Sequence, residues 1–139
     1  MQGKRIAACG NDCLACPRYS AAPFEKTENE LRHTAELWMK IGYRDHVVST
    51  DEIACSGCTE GNWCRYRIVS CASEKGINNC GECGAFPCDR VKSCLDVTLS
   101  FEPYCRQVCT PDEYEQIRKA FFEKEENLET WRRLCLQGK

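Results

Sequence analysis

Fourteen of the 139 residues are cysteine, and their spacing is what thiolate metal sites require. Cys55-Ser56-Gly57-Cys58 and Cys80-Gly81-Glu82-Cys83-Gly84 each set two thiols two residues apart. A tight turn can aim both at one ion, and zinc takes four such ligands in a tetrahedron. Glycine beside each pair lets the backbone turn sharply and bring N–H groups toward sulfur. Twenty-one residues separate the two pairs, close to the ~15–20 of a zinc ribbon. The expected first site is therefore Cys55, Cys58, Cys80 and Cys83. A closed four-cysteine site is a folding element, because catalysis needs an open coordination position.

Cys9, Cys13 and Cys16 form a C-x3-C-x2-C group and nucleate a second expected site. Its fourth ligand is Cys88, or else Cys64 or Cys71, which stand singly among the paired cysteines. The same spacing holds the [4Fe–4S] cluster of radical S-adenosylmethionine enzymes, but those need a barrel longer than this chain. Ala15 also stands where they commonly carry an aromatic residue, and no Gly-Gly-Glu stretch follows. Cys13-Leu14-Ala15-Cys16-Pro17 is only a fragment of a ferredoxin cluster run. The expected cofactor is zinc, two ions, with an iron–sulfur cluster as the alternative. Cys94 and Cys135 fall on apolar faces and are expected in the core. Cys105 and Cys109, spaced i, i+4, suit either a further half-site or the core.

Other chemistry finds little support. His33 lies opposite the apolar stripe of its helix, and His46 sits in a polar loop. No catalytic Ser/His/Asp group, phosphate loop or framed carboxylate pair is present, so an enzyme is not the expectation. Glu82 is expected as an exposed turn residue. The formal net charge of −2 becomes more negative once thiolates bind zinc, which argues against a nucleic-acid backbone clamp. Trp63, Arg65, Tyr66 and Arg67 keep a nucleic-acid-binding zinc module as a second alternative.

Three or four apolar residues follow Lys4 and Arg5, against roughly 7–15 in a secretory signal. No run approaches the ~18–20 apolar residues of a membrane span. A cytoplasmic protein is expected, and in that reducing compartment cysteine pairs hold metal more often than they form disulfides.

Several elements must position these thiols within a single domain, residues 1–139. Residues 24–42 read as a helix, with Thr27 and Glu30 as a capping box and Gly42 just past the end. Leu31, Ala35, Trp38 and Ile41 form its core face. Ile68 to Lys75 reads as a short helix stopped by Gly76, and Pro87 suits the first position of a third, on which Val91, Cys94 and Leu95 share a face. Thr110, Pro111 and Glu113 start a C-terminal helical extension over about 110–136. Tyr114, Ile117, Phe121, Leu128, Trp131 and Cys135 run along it, and Lys124 and Asn127 interrupt the stripe, predicting a bend or two consecutive helices. No internal repeat stands out. The expected fold is a small, metal-stabilised α+β domain: cysteine-rich knuckles and loops flanked by three to four helices.

The order of motifs resembles one family. Cys9-Gly10-x-x-Cys13-x-x-Cys16 is followed by Tyr19, then Cys55-x-Gly57-Cys58, Cys71-Ala72-Ser73-Glu74-Lys75-Gly76-Ile77, Cys80-x-x-Cys83 and Phe86-Pro87-Cys88. Over residues 9 to about 95 this is similar to the prokaryotic domain of unknown function 3795, described as zinc-binding. The resemblance implies a small metal-binding protein with no established activity. The stretch from Cys64 to Cys71 is longer than the family's spacing, and Cys94, Cys105, Cys109 and Cys135 fall outside its pattern. The functional expectation is a zinc-binding interaction or accessory module whose partner is another protein. An iron–sulfur or thiol redox protein is the alternative.

Overall fold

The structure, a computed structural model, describes residues 3–20, 25–57 and 66–137. Helices account for 62% of it and no strand occurs among the described residues. The expected α+β class is thus corrected to an all-helical one. Extended pairing is limited to two isolated bridges, Ile6 with Asp12 and Tyr19 with Cys55. The reason lies in the pattern: the apolar residues recur at three- and four-residue intervals, and no stretch alternates long enough for a strand.

Helix α1 spans Glu28–Lys40, and the Thr27 side chain caps it by accepting from the Glu30 N–H. Gly42, at φ +90°, follows it. Helix α2 is a single turn, Thr50–Ile53, capped by Ser49. Helix α3 covers Ile68–Lys75 and ends at Gly76 in the left-handed region, as the sequence predicts. Helix α4 spans Asp89–Ser100. Its N-cap is Cys88, so Pro87 lies just before the helix rather than at its first position. Helix α5, Glu102–Val108, has no counterpart in the sequence expectation. Helix α6, Pro111–Ile117, begins with the predicted reciprocal capping box of Thr110 and Glu113. A five-residue π-helical segment, Arg118–Phe122, then leads into α7, Lys124–Gln137. The extension is thus consecutive helices, and the break at Glu123 falls where the apolar stripe is interrupted.

The core has three parts. One gathers Ala35, Leu37, Trp38, Ile41, Val48, Ile53, Cys105 and Ile117, with α1 at its centre. Trp38, Tyr43, Phe101 and Phe121 meet edge to face around it, with ring centroids 5.1–6.1 Å apart. A second joins Ala8 with Ile68 and Ala72 of α3 and Cys94 of α4, and a third joins Val91, Leu95 and Leu128. Cys80 packs against both smaller clusters. Cys105 is fully buried, and desolvation pushes its thiol up to about 11, so it serves as an apolar residue. Apolar burial of this kind stabilises by about 25 cal/mol per Å². Among the described residues the fold therefore carries a core of its own, and the expected metal-stabilised framework has no metal-holding group to show for it. No helix there is long and apolar enough to cross a membrane.

Candidate metal centre

Two of the cysteine pairs adopt one local structure. In the first knuckle, Cys13–Ala15 form a turn of 3-10 helix whose cap is Asp12. The Asp12 carboxylate accepts from the Leu14 and Arg5 N–H groups, both at 3.1 Å, and the Cys16 N–H returns to the Cys13 carbonyl. In the second, Cys80–Glu82 form the same turn capped by Asn79. The Asn79 Oδ1 accepts from the Gly81 N–H at 2.9 Å, and the Cys83 N–H returns to the Cys80 carbonyl. A short side-chain acceptor ahead of each C-x-x-C thus organises the turn by bonding its own backbone two residues on. The signal for it in the sequence is the Asp12 or Asn79 directly ahead of each pair.

Backbone donors then point at sulfur. The Arg18 N–H reaches Cys16, the Ala85 N–H lies 3.4 Å from Cys83 Sγ and the Gly57 N–H 3.4 Å from Cys55 Sγ. Such N–H groups favour thiolate over thiol and orient a ligand sulfur.

Beneath the second knuckle Cys71 of α3, Cys80, Cys83 and the α4 cap Cys88 line one cavity of about 20 Å³. The Lys75 ammonium lies 3.2 Å from Cys83 Sγ. Burial, and then the neighbouring Cys88, Cys9, Cys71 and Cys83, push the Cys80 thiol up to about 12. Cys83 moves the other way, drawn below its usual value by the Ala85 N–H and by Lys75. Four thiols from three elements face one small space, and their mutual repulsion is what a bound cation removes. The donor set therefore suits a thiophilic ion. As they stand, no three His, Cys, Asp or Glu side chains among the described residues converge closely enough to hold one.

At the first knuckle the neighbour is Cys55. Its backbone pairs with the 18–20 segment through Cys55 N–H to Arg18 O at 2.9 Å and Ser20 N–H to Cys55 O at 2.8 Å. Burial pushes the Cys16 thiol up to about 11, with Cys55 and Cys13 adding to the effect. The structure places these thiols in groups that differ from the expected pairing. Cys55 stands with Cys13 and Cys16, whereas Cys80 and Cys83 stand with Cys71 and Cys88. The reason is topological: the backbone bridge at Tyr19 brings residue 55 to the opening loop, and α3 runs directly into the second knuckle. Cys58 and Cys64, with Trp63 and Arg65, lie outside the described residues.

Cys9 packs against the cluster that holds Cys94, with Cys80 beside it. Its sulfur accepts a hydrogen bond from Cys94. That bond lowers the Cys9 thiol to about 6 against the opposing effect of burial, with Lys124 and the Asn11 N–H assisting. Cys94 is raised correspondingly, by the same bond and by burial. It is buried as expected, yet it is a polar partner rather than a filler.

The two residues that break the apolar stripe of α7 are buried polar groups. Lys124 and Asn127 are 7% and 2% exposed. Lys124 Nζ lies 2.8 Å from Thr98 Oγ1 and 3.6 Å from Cys94 Sγ. Asn127 Nδ2 donates to the Gly10 carbonyl at 2.9 Å, and its Oδ1 accepts from Lys4 at 2.8 Å. On the next turn Trp131 donates to Glu82 at 2.9 Å and Arg132 to the Cys83 carbonyl at 2.8 Å. Helix α7 therefore braces both the Cys9 loop and the second knuckle, and Glu82 is a partner of α7 rather than an idle turn residue. His33 and His46 have mostly exposed side chains, beside Glu113 and Asp45 respectively.

No curated protein and no solved structure matches the chain. The family described as Protein of unknown function (DUF3795) matches residues 5–93, which takes in the first knuckle, Cys55 and the cavity of Cys71, Cys80, Cys83 and Cys88 and leaves α5, α6 and α7 outside. With well over half its length matched, and with the cysteine knuckles inside the matched part, the chain belongs to the DUF3795 family of proteins of unknown function.

Proposed function

We propose that this chain is a zinc-binding protein with structural cysteine sites, acting as an interaction or accessory module. The observation that carries the reading is the cavity on which Cys71, Cys80, Cys83 and Cys88 open from α3, the second knuckle and the start of α4. These four would hold one ion. Cys13, Cys16 and Cys55 belong to a second site on the same reasoning. A bound zinc supplies charge neutralisation for the thiolates and a cross-link between elements, with a binding energy of order 10 kcal/mol for a structural site. Four protein ligands leave no open position, which favours a binding module over a hydrolytic enzyme.

The deciding experiment is metal analysis of anaerobically purified protein, followed by chelation under amide hydrogen exchange. The expected result is zinc in the wild type and about one equivalent less in Cys80→Ser/Cys88→Ser. Chelation should expose amides of α3 and α4 while α1, whose core lies elsewhere, stays protected. Full zinc content in the double variant, or a protein that never carries zinc, overturns the reading. Iron with visible thiolate-to-iron absorbance would support an iron–sulfur centre on the same cysteines.

A further inference from the structure

The chain around Ile6 is bridged to Asp12 and paired along only one of its edges. The Arg5 N–H donates to Asp12 Oδ1 at 3.1 Å, and its carbonyl accepts from the Cys13 N–H at 2.9 Å. The Ala7 N–H donates to the Asn11 carbonyl at 2.8 Å, and its carbonyl accepts from the Gly10 N–H at 2.9 Å. Successive residues of an extended chain turn their backbone groups to opposite edges. Lys4, Ile6 and Ala8 therefore present theirs on the other side, and the Ala8 carbonyl does accept there, from the Cys80 N–H at 3.0 Å. The backbone groups of Lys4 and Ile6 have no partner among the described residues. Residues 4–8 also line a cleft of about 540 Å³, shared with Val69 and Ala72 of α3, Ile77 and Trp131. Its size is within the ~300–1,000 Å³ of sites that take a ligand. Lys4 Nζ is already held by Glu123 and Asn127. The Arg5 guanidinium lies 5.6 Å from the Tyr19 ring centroid and pairs with no carboxylate among the described residues.

We propose that the open edge at Lys4 and Ile6 docks an extended peptide of a partner protein, one that alternates apolar and acidic side chains. The peptide adds a strand, and its N–H groups and carbonyls pair with those of Lys4 and Ile6. Its apolar side chains enter the cleft against Val69, Ala72 and Ile77, and a carboxylate meets Arg5. A donor and an acceptor repeated on alternate residues are matched in register by another extended backbone. A small carboxylate would satisfy Arg5 but leave the Ile6 groups unpaired. The edge is fastened to both knuckles, through Arg5 to Cys13 and through Ala8 to Cys80, so the cysteine sites set its position. The inference rests on the interaction-module part of the proposed function and names the partner's chemistry.

The test titrates the isotope-labelled full chain, as purified, with a blocked hexapeptide of alternating valine and glutamate and follows the backbone amides by nuclear magnetic resonance. In the protein alone the Ile6 amide should exchange fast, while the Ala7 and Cys13 amides are protected. The peptide should shift the Ile6, Val69 and Ala72 resonances and slow exchange at Ile6. Of two versions N-methylated at alternate positions, one should bind about tenfold more weakly, the cost of an unmade hydrogen bond. Arg5→Gln should weaken binding about two- to fivefold, the worth of an exposed ion pair, and leave a valine–glutamine peptide unaffected. An Ile6 amide already protected in the protein alone means that the chain covers its own edge, and overturns the proposal. So do shifts that appear on raising protein concentration without peptide, which assign the edge to a second copy. Absence of any shift at millimolar peptide, equal binding of both methylated versions and the parent, or an Arg5→Gln variant that binds as wild type also overturns it. Zinc is measured on the same samples. A zinc-free protein that binds the peptide defeats the zinc reading alone, and a zinc-loaded protein that does not bind defeats this one alone.

Discussion

Three glycines allow the brace formed by α7 to be measured. Gly10 has φ +97°, and a Cβ there would lie 2.6 Å from the Lys124 carbonyl oxygen and 3.0 Å from Leu128 Cγ. Gly81 has no such backbone demand, but its Cβ would lie 2.6 Å from the Leu128 carbonyl oxygen. Gly76 has φ +68° and nothing within 4 Å of the added atom. Alanine at Gly76 therefore meets only the left-handed backbone penalty, about 1–2 kcal/mol. Alanine at Gly81 meets only the contact, and a well-packed site overfilled by one methyl loses about 1–3 kcal/mol. Gly10→Ala meets both. Backing α7 away also loosens the buried bond from Asn127 to the Gly10 carbonyl, and an unsatisfied buried group costs about 1–3 kcal/mol. The expected loss for Gly10→Ala is ~3–8 kcal/mol, a large part of the 5–15 kcal/mol that holds a typical domain together. Urea unfolding of the three variants, followed by far-ultraviolet circular dichroism, reads these losses directly. If Gly10→Ala were no more destabilising than Gly76→Ala, the close approach of α7 to the Cys9 loop would be refuted.

Asn127→Ala should destabilise by about 1–3 kcal/mol in the same assay, because the buried Gly10 carbonyl loses its partner while Lys4 keeps only Glu123; a change under about 0.5 kcal/mol, the level of an ordinary surface substitution, would contradict its assigned role. Glu113 tests the electrostatics of the α1–α6 contact. Burial works against its charge, but Lys40, at 2.6 Å, and the Thr110 N–H hold the carboxyl below its ordinary value of 4.5. A lowered folded-state pKa contributes stability above 4.5 that is lost as pH falls through the folded value. Glu113→Gln should therefore lose less stability than wild type between pH 6 and pH 3, and parallel acid profiles would show that the pair carries no linkage.

Much of the helical frame was legible in the chain itself. Thr27, Gly76 and the Thr110–Glu113 box act through residues no more than four positions away, so their geometry follows from local sequence. The same holds for the break in the C-terminal extension, announced by Lys124 and Asn127. Helix α5 escaped notice because it is short and has no side-chain cap. The expected α+β class was wrong because cysteine spacing says where turns fall but nothing about whether strands pair beside them.

The cysteine pairs are the clearest case of both. That Cys13/Cys16 and Cys80/Cys83 form matching turns was determined by sequence, since Asp12 and Asn79 bond their own backbone two residues on. Which thiols then share a space was decided by tertiary structure alone. Cys55 is carried to the opening loop by a single backbone bridge, and Cys71 reaches the second knuckle from α3. Cys9 packs against the cluster that holds Cys94, and Lys124, which interrupts the helical stripe, is buried beside Cys94. Spacing fixes only contacts a few residues long, whereas ligand sets depend on partners tens of residues apart. Those partners are brought together by packing of α3, α4 and α7, which no local motif encodes.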